Sequence, residues 1–187
     1  VAPASVTGMI KRLAANDPAL VDYHRHHGVR LTEPGKLVAL EVIRHHRLLE
    51  MYLHEHLGFS WDEVHREAER LEHVISEELE ERIAQALGNP SHDPHGEPIP
   101  ARDLSMPPQS GTRLSSLRPG QQALVERVGD TNPELLRHLE GLGLIPQAKV
   151  KALEYSPFDD TLRLLVTGQE APIVLGSRIT QQIFIKL

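Results

Sequence analysis

A proline- and glycine-rich stretch divides this chain of 187 residues into two parts with different hydrophobic patterns. It is GNPSHDPHGEPIPARDLSMPPQSGT (88–112), and its apolar residues have no regular spacing. Before it, apolar residues recur every three to four positions, which is typical of amphipathic helices. After it, short apolar runs alternate with turn sequences, which is typical of strands. The sequence therefore predicts a helical domain and a β domain joined by a linker.

The helical part begins with a short helix in VAPASVTGMIKRLA, because Val6, Ile10 and Leu13 recur at helical spacing. The next segment, LVDYHRHHGVRLT (20–32), predicts a β-hairpin that turns at Gly28, since β-branched and aromatic residues flank that glycine.

Two long helices follow the hairpin. Thr32 is a suitable N-cap for the first, which we expect to run to Leu57 and to stop at Gly58. The second is expected to begin at Ser60 and to continue as one helix to Gly88. At 1.5 Å per residue each would be on the order of 35–40 Å long.

The β part contains several short strand-like runs and one helix, PELLRHLEGL, between the first two of them. The runs are QALVERV, KVKALEY, TLRLLVT, APIVL and IFIKL. Short strands separated by turns such as PFDD and TGQE predict a small β-barrel.

Charge is distributed unevenly along the chain, although its net value is only −6. The net charge is +3 over residues 1–47, −10 over 48–112 and +1 over 113–187. The average therefore hides a mildly basic first segment that a nucleic acid could approach. No apolar run approaches the roughly 20 residues that span a bilayer, and nothing resembles a signal peptide. We expect a soluble, cytoplasmic protein with no membrane partner.

Polar residues interrupt the apolar arcs of both long helices. At 100° per residue, His46 and Glu50 lie in the middle of the first arc, and His65 and Glu72 lie in the second, which extends to Leu79. A buried charge is unfavourable unless it is paired or binds a metal. These inward-facing residues therefore require a partner, which is either another side chain or a metal ion.

Two explanations are open. His46 with Glu50, and His65 with Glu69, are i,i+4 pairs, and either pair alone is explained as an ordinary hydrogen-bonded pair. Two such groups on helices that can pack antiparallel favour a metal site instead, because imidazoles and carboxylates can converge from facing helices. The chain has no cysteine, so the donors are nitrogen and oxygen. Such donors suit Mn(II) or Fe(II) and permit Co(II), Ni(II) and Zn(II).

Two segments carry a family resemblance, IRHHRLLEMYLHEHLGFSWDEVHREAERLEHVISEELEERI (43–83) and HDPHGEPIP (92–100). They resemble the diphtheria-toxin-repressor family of metal-dependent transcription regulators, most closely its manganese-responsive branch. The resemblance implies a mainly α N-terminal part and a small C-terminal SH3-like β-barrel. It divides the chain into the end of a winged helix-turn-helix domain (1–32), a helical metal-binding and dimerisation domain (33–88), the proline-rich linker (89–112) and an SH3-like domain of the ferrous-transport-accessory type (113–187).

The resemblance also implies two metal sites. The ancillary site falls on His46, Glu50 and His65, and the primary site falls on Glu69, Glu72 and His73. Iron-responsive relatives have a cysteine at the position of Glu69, so the carboxylate here favours Mn(II) as the cofactor. Fe(II), Co(II), Zn(II) and Cd(II) are the other ions expected to bind in vitro. In some relatives the C-terminal domain adds a carboxylate to the ancillary site, for which the candidates are Glu134 and Asp130.

The first helix resembles the family's DNA-recognition helix, and the hairpin corresponds to its wing. This match places three small residues toward the major groove and two basic residues near phosphates. They are Ala4, Ser5 and Thr7, and Lys11 and Arg12. The family pattern has two further helices before the recognition helix, and the first supplies another ligand to the primary site. Neither is in this sequence, so we expect it to be part of a longer protein, with an incomplete primary site.

The resulting hypothesis is a homodimeric regulator, not an enzyme, that binds operator DNA and represses metal-uptake genes when Mn(II) is plentiful. It needs no small-molecule substrate. One rival is a helical di-metal carboxylate and histidine enzyme, which requires an open coordination position and a substrate pocket. The other is a dimeric interaction module whose barrel binds a peptide or protein, and it predicts no metal uptake.

Overall fold

The structure is a computed structural model and describes residues 3–24, 26–129 and 132–187. Its first elements form a helix followed by a two-stranded antiparallel hairpin, as the sequence predicts. They are α1 (Pro3–Ala14), β1 (Val21–His24) and β2 (Gly28–Leu31). The turn leads directly into Gly28, the first residue of β2, whose φ of 90° is readily adopted only by glycine.

Helix α2 (Glu33–Leu57) begins and ends where the sequence predicts. The side chain of Thr32 accepts a hydrogen bond from the Gly35 amide at 3.1 Å, and Gly58 ends the helix in the left-handed conformation. The same threonine hydroxyl donates to the carbonyl of Ala19 at 2.6 Å. A Cβ on Gly35 would overlap the carbonyl of Leu20. The base of the hairpin therefore packs directly on the first turn of α2.

The prediction of one helix from Ser60 to Gly88 is wrong. Two helices replace it, α3 (Val64–Leu71) and α4 (Glu77–Ala86). Ser76 caps α4, since its side chain accepts a hydrogen bond from the Leu79 amide at 3.2 Å. The acidic residues that follow Ser76 favour a new N-terminus there. Leu79 is consequently 46% exposed and is not on the buried face that a continuous helix would give it.

The first half of the proline-rich stretch packs against the helices. His92 and Pro98 form an isolated antiparallel bridge, and Ile99 is buried. Ile99 belongs to the apolar core of the helical part. The other fully buried members of that core are Leu48, Leu49, Leu53, Val64, Ala68, Ile83 and Ala84.

The C-terminal part contains a five-stranded antiparallel sheet in the order β6-β5-β4-β3-β7, which is consistent with an SH3-like domain. The strands are β3 (Gln122–Val128), β4 (Lys149–Ser156), β5 (Thr161–Val166), β6 (Ile173–Leu175) and β7 (Ile183–Lys186). The helices are α5 (Pro133–Gly141) and α6 (Ser177–Thr180). The predicted fold class, a mainly α N-terminal part followed by a small β domain, is confirmed.

The two parts are in contact. Trp61, which precedes α3, is 4% exposed and belongs to the apolar core of the C-terminal part. Beside it, the buried Asp62 forms an ion pair with Arg137 of α5. Within the described residues, no helix is both long and apolar enough to cross a membrane.

Candidate metal centre

Three side chains of α2 and α3 converge in the helical part. Glu50 Oε1 lies 2.9 Å from His46 Nε2 and 3.0 Å from His65 Nδ1, and the two nitrogens are 2.9 Å apart. The i,i+4 spacing places His46 and Glu50 on one face of α2, against which α3 packs. Adjacent donors around an octahedral divalent ion with bonds of about 2.1 Å lie about 3 Å apart. The three donor atoms therefore fit one face of such an ion.

A further carboxylate lies near the second ring nitrogen of each of these two imidazoles. The second ring nitrogen of His46, Nδ1, donates to Glu72 Oε2 at 2.6 Å. In a neutral ring this leaves the lone pair of Nε2 for an ion, whereas in the protonated ring Nε2 donates to Glu50. His65 Nε2 lies 3.6 Å from Glu69 Oε1, and Nδ1 of the same ring faces His46 Nε2 and Glu50 Oε1. Hydrogen bonds of this kind orient histidine ligands in metal sites.

A second cluster lies on the other side of Glu50. It consists of Glu50, Asp93 and His95, whose ligand atoms all lie within 4.8 Å of one another. Glu50 Oε2 is 3.9 Å from His95 Nδ1, and His95 Nε2 donates to the carbonyl of Trp61 at 2.9 Å. Glu50 is 2% exposed and is shared by both clusters. One carboxylate on α2 thus faces three imidazoles.

Asp93 and His95 were not among the site residues that the sequence predicted. Both are 6% exposed, although they come from the stretch expected to be a linker. Asp93 Oδ1 accepts hydrogen bonds from the amides of His95 at 2.8 Å and Glu97 at 2.9 Å, and these bonds shape the loop. A segment without helical or strand periodicity gives no prediction of which side chains point inward. The available signal was the family motif HDPHGEPIP.

The carboxylates and imidazoles shift one another's protonation. Burial alone would raise the pKa of Glu50, but hydrogen bonds from His46, His65 and His95 outweigh it and hold that pKa well below its ordinary range. Burial alone would lower the pKa values of His46 and His95, but hydrogen bonding to Glu50 outweighs it and raises both. Burial and the charge of Glu50 raise the pKa of Asp93 to about 7. A cation that binds among these groups would therefore compete with protons.

A cavity of about 220 Å³ lies beside Glu50 and is lined by residues of both parts of the chain. Its lining residues are His46, Arg47, Glu50, His65, Asp93, His95, Glu97, Val128 and Gly129. Imidazoles and carboxylates without sulfur are suitable ligands for Mn(II) and Fe(II). The residues around the cavity therefore fit a divalent metal ion.

The residues predicted for the primary site are placed differently. The side chains of Glu69 and His73 are 61% and 68% exposed, and Glu72 Oε1 lies 3.2 Å from His73 Nε2. Glu72 follows α3 in a right-handed helical conformation, with its amide bonded to the carbonyl of Ala68, and its other oxygen contacts His46. In the part of the chain that the structure describes, Glu69, Glu72 and His73 do not form a cluster of their own. Their role as ligands stays a prediction.

Of the two carboxylates predicted from the C-terminal domain, Glu134 does not line the cavity. Glu134 is exposed in the first turn of α5, where its amide is bonded to Asn132 Oδ1 at 2.9 Å. Asp130 lies outside the described residues. The nearest described contributions of this domain to the cavity come from Val128 and Gly129.

The residues predicted to contact DNA all belong to α1. Ser5, Thr7, Lys11 and Arg12 are exposed, and the two basic residues stand in the last turn of the helix. Ala4 is within the helix, but its side chain lies outside the described part. The helix leads through Ala15 and Leu20 into the hairpin, which packs on α2.

Two family models match successive parts of the sequence. The iron dependent repressor, metal binding and dimerisation domain matches residues 32–101, and the FeoA domain matches residues 112–187. A similar curated protein is the iron-dependent repressor IdeR of Mycobacterium leprae (strain TN), which is 34% identical over 179 residues. That match covers 89% of this chain and 76% of the relative.

Solved structures are also similar. A manganese-dependent transcriptional repressor in complex with manganese is 36% identical, with a TM-score of 0.88 over 99% of this chain and 85% of that one. ScaR with bound Cd²⁺ is 35% identical, with a TM-score of 0.79 over 100% of this chain and 86% of that one.

Proposed function

The chain belongs to the diphtheria-toxin-repressor family of metal-dependent transcriptional repressors, and on this premise we propose that Mn(II) binding around Glu50 controls its binding to operator DNA. The family consists of repressors, which argues against the di-metal enzyme hypothesis. The observation that carries the proposal is the convergence of His46, Glu50 and His65 on one point from two helices.

The donor atoms favour Mn(II) as the signal. His46, Glu50 and His65 would hold one face of the ion, and Asp93 and His95 lie on the opposite side of the same carboxylate. All of these donors are nitrogen or oxygen, and the chain has no cysteine that would favour a softer ion. The names of the relatives include both metals, since IdeR is iron-dependent and a structural neighbour is manganese-dependent. A bound ion would supply the positive charge that stabilises the buried carboxylates.

Helix α2 offers a rigid connection between the metal centre and the DNA-reading segment. His46 lies 13 residues after Glu33, about 20 Å along the helix axis. The hairpin that follows α1 is fixed to the first turn of α2 through Thr32 and Gly35. Residues on α2 and α3 that share an ion would hold the two helices in one arrangement, and α2 would carry that arrangement to α1. Metal would thereby favour the state that binds DNA.

The proposed partners are operator DNA and a second copy of the chain. Exposed α1, with Lys11 and Arg12 in its last turn, supplies a basic surface for phosphates. The match to a dimerisation domain supports a homodimer, as do Val74 and Leu79, which are 75% and 46% exposed beside the break between α3 and α4. We place the protein in the cytoplasm, where the DNA of a bacterial repressor lies, and expect genes for metal uptake among its targets.

The test is a selection of DNA sites from a random duplex pool, followed by binding measurements with Mn(II) or a chelator. We expect Mn(II) to strengthen binding to the selected site by at least about tenfold. Glu50→Gln should lose this response, because the amide carries no charge for the ion. Glu55→Gln, an exposed position on the same helix, is the matched control and should keep it. Binding that chelation leaves unchanged would contradict the proposal, and a response to anaerobic Fe(II) alone would reassign the metal.

A further inference from the structure

We propose that the C-terminal domain positions Asp93 and His95 at the metal centre through the loop of residues 93–97, so that domain docking and metal affinity are coupled. The proposal rests on the proposed function, since it concerns the affinity of the same centre. One face of the loop contacts Glu50, and the other contacts strand β3.

The first face presents ligands. Asp93 and His95 point toward Glu50, and their ligand atoms lie within 4.8 Å of its carboxylate. They belong to neither α2 nor α3, so their positions depend on what holds the loop. Arg47 of α2 contacts Asp93, Glu97 and the carbonyl of Pro98, and strand β3 and Trp61 supply further contacts.

The second face is joined to the C-terminal sheet. The carbonyl of His95 accepts a hydrogen bond from the amide of Val128 in β3 at 2.9 Å. The residue after His95 is Gly96, with a φ of 85°, and a Cβ there would overlap the carbonyl of Glu126 and lie 2.8 Å from Arg127 Cα. Only a residue without a side chain allows this close approach.

A charged contact continues the same face. Glu97 Oε1 accepts a hydrogen bond from Arg127 of β3 at 2.7 Å, and Glu97 Oε2 accepts one from Arg47 of α2 at 3.2 Å. The Arg127 guanidinium lies 3.4 Å from the ring centroid of Phe184, which restrains it. Glu97 therefore links the metal-bearing helix to the sheet through two arginines.

Trp61 holds the loop from its other end. Its indole Nε1 donates to the carbonyl of Pro94 at 2.9 Å, and its own carbonyl accepts from His95 Nε2 at 2.9 Å. The indole is buried in the apolar core of the C-terminal part, together with Leu136 and Leu139. The hydrogen bond that leaves His95 Nδ1 free for an ion is thus made by a residue whose side chain the C-terminal domain encloses. Trp61 acts as a positioning residue.

These contacts predict coupling in both directions. If docking of the sheet holds His95 in place, undocking must weaken metal binding, and metal binding must strengthen docking by the same factor. The exchange rate of the Val128 amide reports docking, and the electron paramagnetic resonance signal of free Mn(II) reports metal affinity. Exchange of the Val128 amide can be measured with or without metal.

Gly96→Ala is the decisive variant, and Gly120→Ala is its matched control. Both glycines have left-handed φ angles, 85° and 89°, but a Cβ on Gly120 meets nothing within 4 Å. We expect Gly96→Ala to speed exchange of the Val128 amide and to weaken Mn(II) binding by about tenfold or more. Gly120→Ala introduces similar backbone strain, but its Cβ meets no neighbour, so this variant should bind Mn(II) like the wild type.

Trp61→Phe tests the positioning role if Gly96→Ala does not fold. Phenylalanine keeps an aromatic ring in the core but cannot donate to Pro94, so Mn(II) affinity should fall several-fold at a temperature where the chelated variant is fully folded. A purely structural role would lower only the melting temperature. Wild-type affinity in Trp61→Phe, or in a Gly96→Ala variant with fast Val128 exchange, would overturn the inference. Absence of Mn(II) uptake by the wild type would instead overturn the proposed function.

Discussion

His46 Nδ1 lies 2.6 Å from Glu72 Oε2, so a residue predicted for one metal site holds a residue predicted for the other. The backbone carbonyl of Glu72 also lies 3.2 Å from His45 Nδ1. Two adjacent histidines of α2 thus contact the residue that follows α3. Glu72 therefore contributes to the centre around Glu50 by orienting His46, whether or not it also binds an ion itself.

Replacing Glu72 should weaken the metal centre around Glu50. In Glu72→Ala the His46 ring loses the carboxylate that fixes its tautomer and orientation, and we expect Mn(II) affinity to fall by about 10- to 100-fold. Isothermal titration calorimetry measures this change. Glu78→Ala removes an exposed glutamate of α4 whose partner is Arg82, and it should leave affinity unchanged. Equal affinities for the two variants would show that His46 needs no support from Glu72.

Metal affinity should rise with pH through the range in which the imidazoles lose their protons. The pKa values of His46 and His95 are raised above 6.5, so protons compete with metal both below and somewhat above that pH. Each proton released makes affinity increase by about tenfold per pH unit. Titrations in buffers with different ionisation enthalpies give the number of protons. No proton release at pH 6.5 would contradict the assignment.

The stability of the chelated protein should depend on pH in the opposite sense. A histidine with a raised pKa stabilises the fold fully below its unfolded value of 6.5, and this contribution is lost as the pH rises through the folded pKa. We therefore expect the difference in melting temperature between wild type and His46→Gln, both in chelator, to be larger at pH 6 than at pH 8. A difference that grows with pH would contradict this prediction.

Gly35→Ala should separate metal binding from DNA binding. A Cβ at this position overlaps the carbonyl of Leu20 and so displaces the hairpin and α1 from α2, while the metal centre is about 20 Å away along the helix. We expect Mn(II) affinity within about threefold of the wild type and loss of the Mn(II) effect on DNA binding. Gly111→Ala, where a Cβ has open space, is the control. A normal DNA response in Gly35→Ala would exclude α2 as the connection.

Ser76→Ala should destabilise the protein by about 1 kcal/mol, because α4 loses its N-cap. Chemical denaturation of the chelated protein measures the free energy of unfolding. Ser115→Ala provides a control in the C-terminal part. An unchanged free energy for Ser76→Ala would indicate that the break between α3 and α4 does not depend on this cap.

Local signals in the sequence determined much of the fold. Thr32 and Gly58 determine the ends of α2, because a side-chain cap and a left-handed glycine act within one turn of the chain. The spacing of His46 and Glu50 determines that both share a face of α2, since the helix repeats every 3.6 residues. Alternating apolar residues determined the strands of the C-terminal sheet in the same way.

Only the tertiary structure decided which residues of other elements lie beside His46 and Glu50. Asp93 and His95 come from a loop without periodicity, and their positions depend on Trp61 and Val128, which are distant in sequence. The contact between Glu72 and His46 likewise depends on how α3 packs against α2, which a helical wheel of one element does not show. The physical reason is that periodicity orients side chains within one element, whereas contacts between elements decide where a loop or a helix end is held.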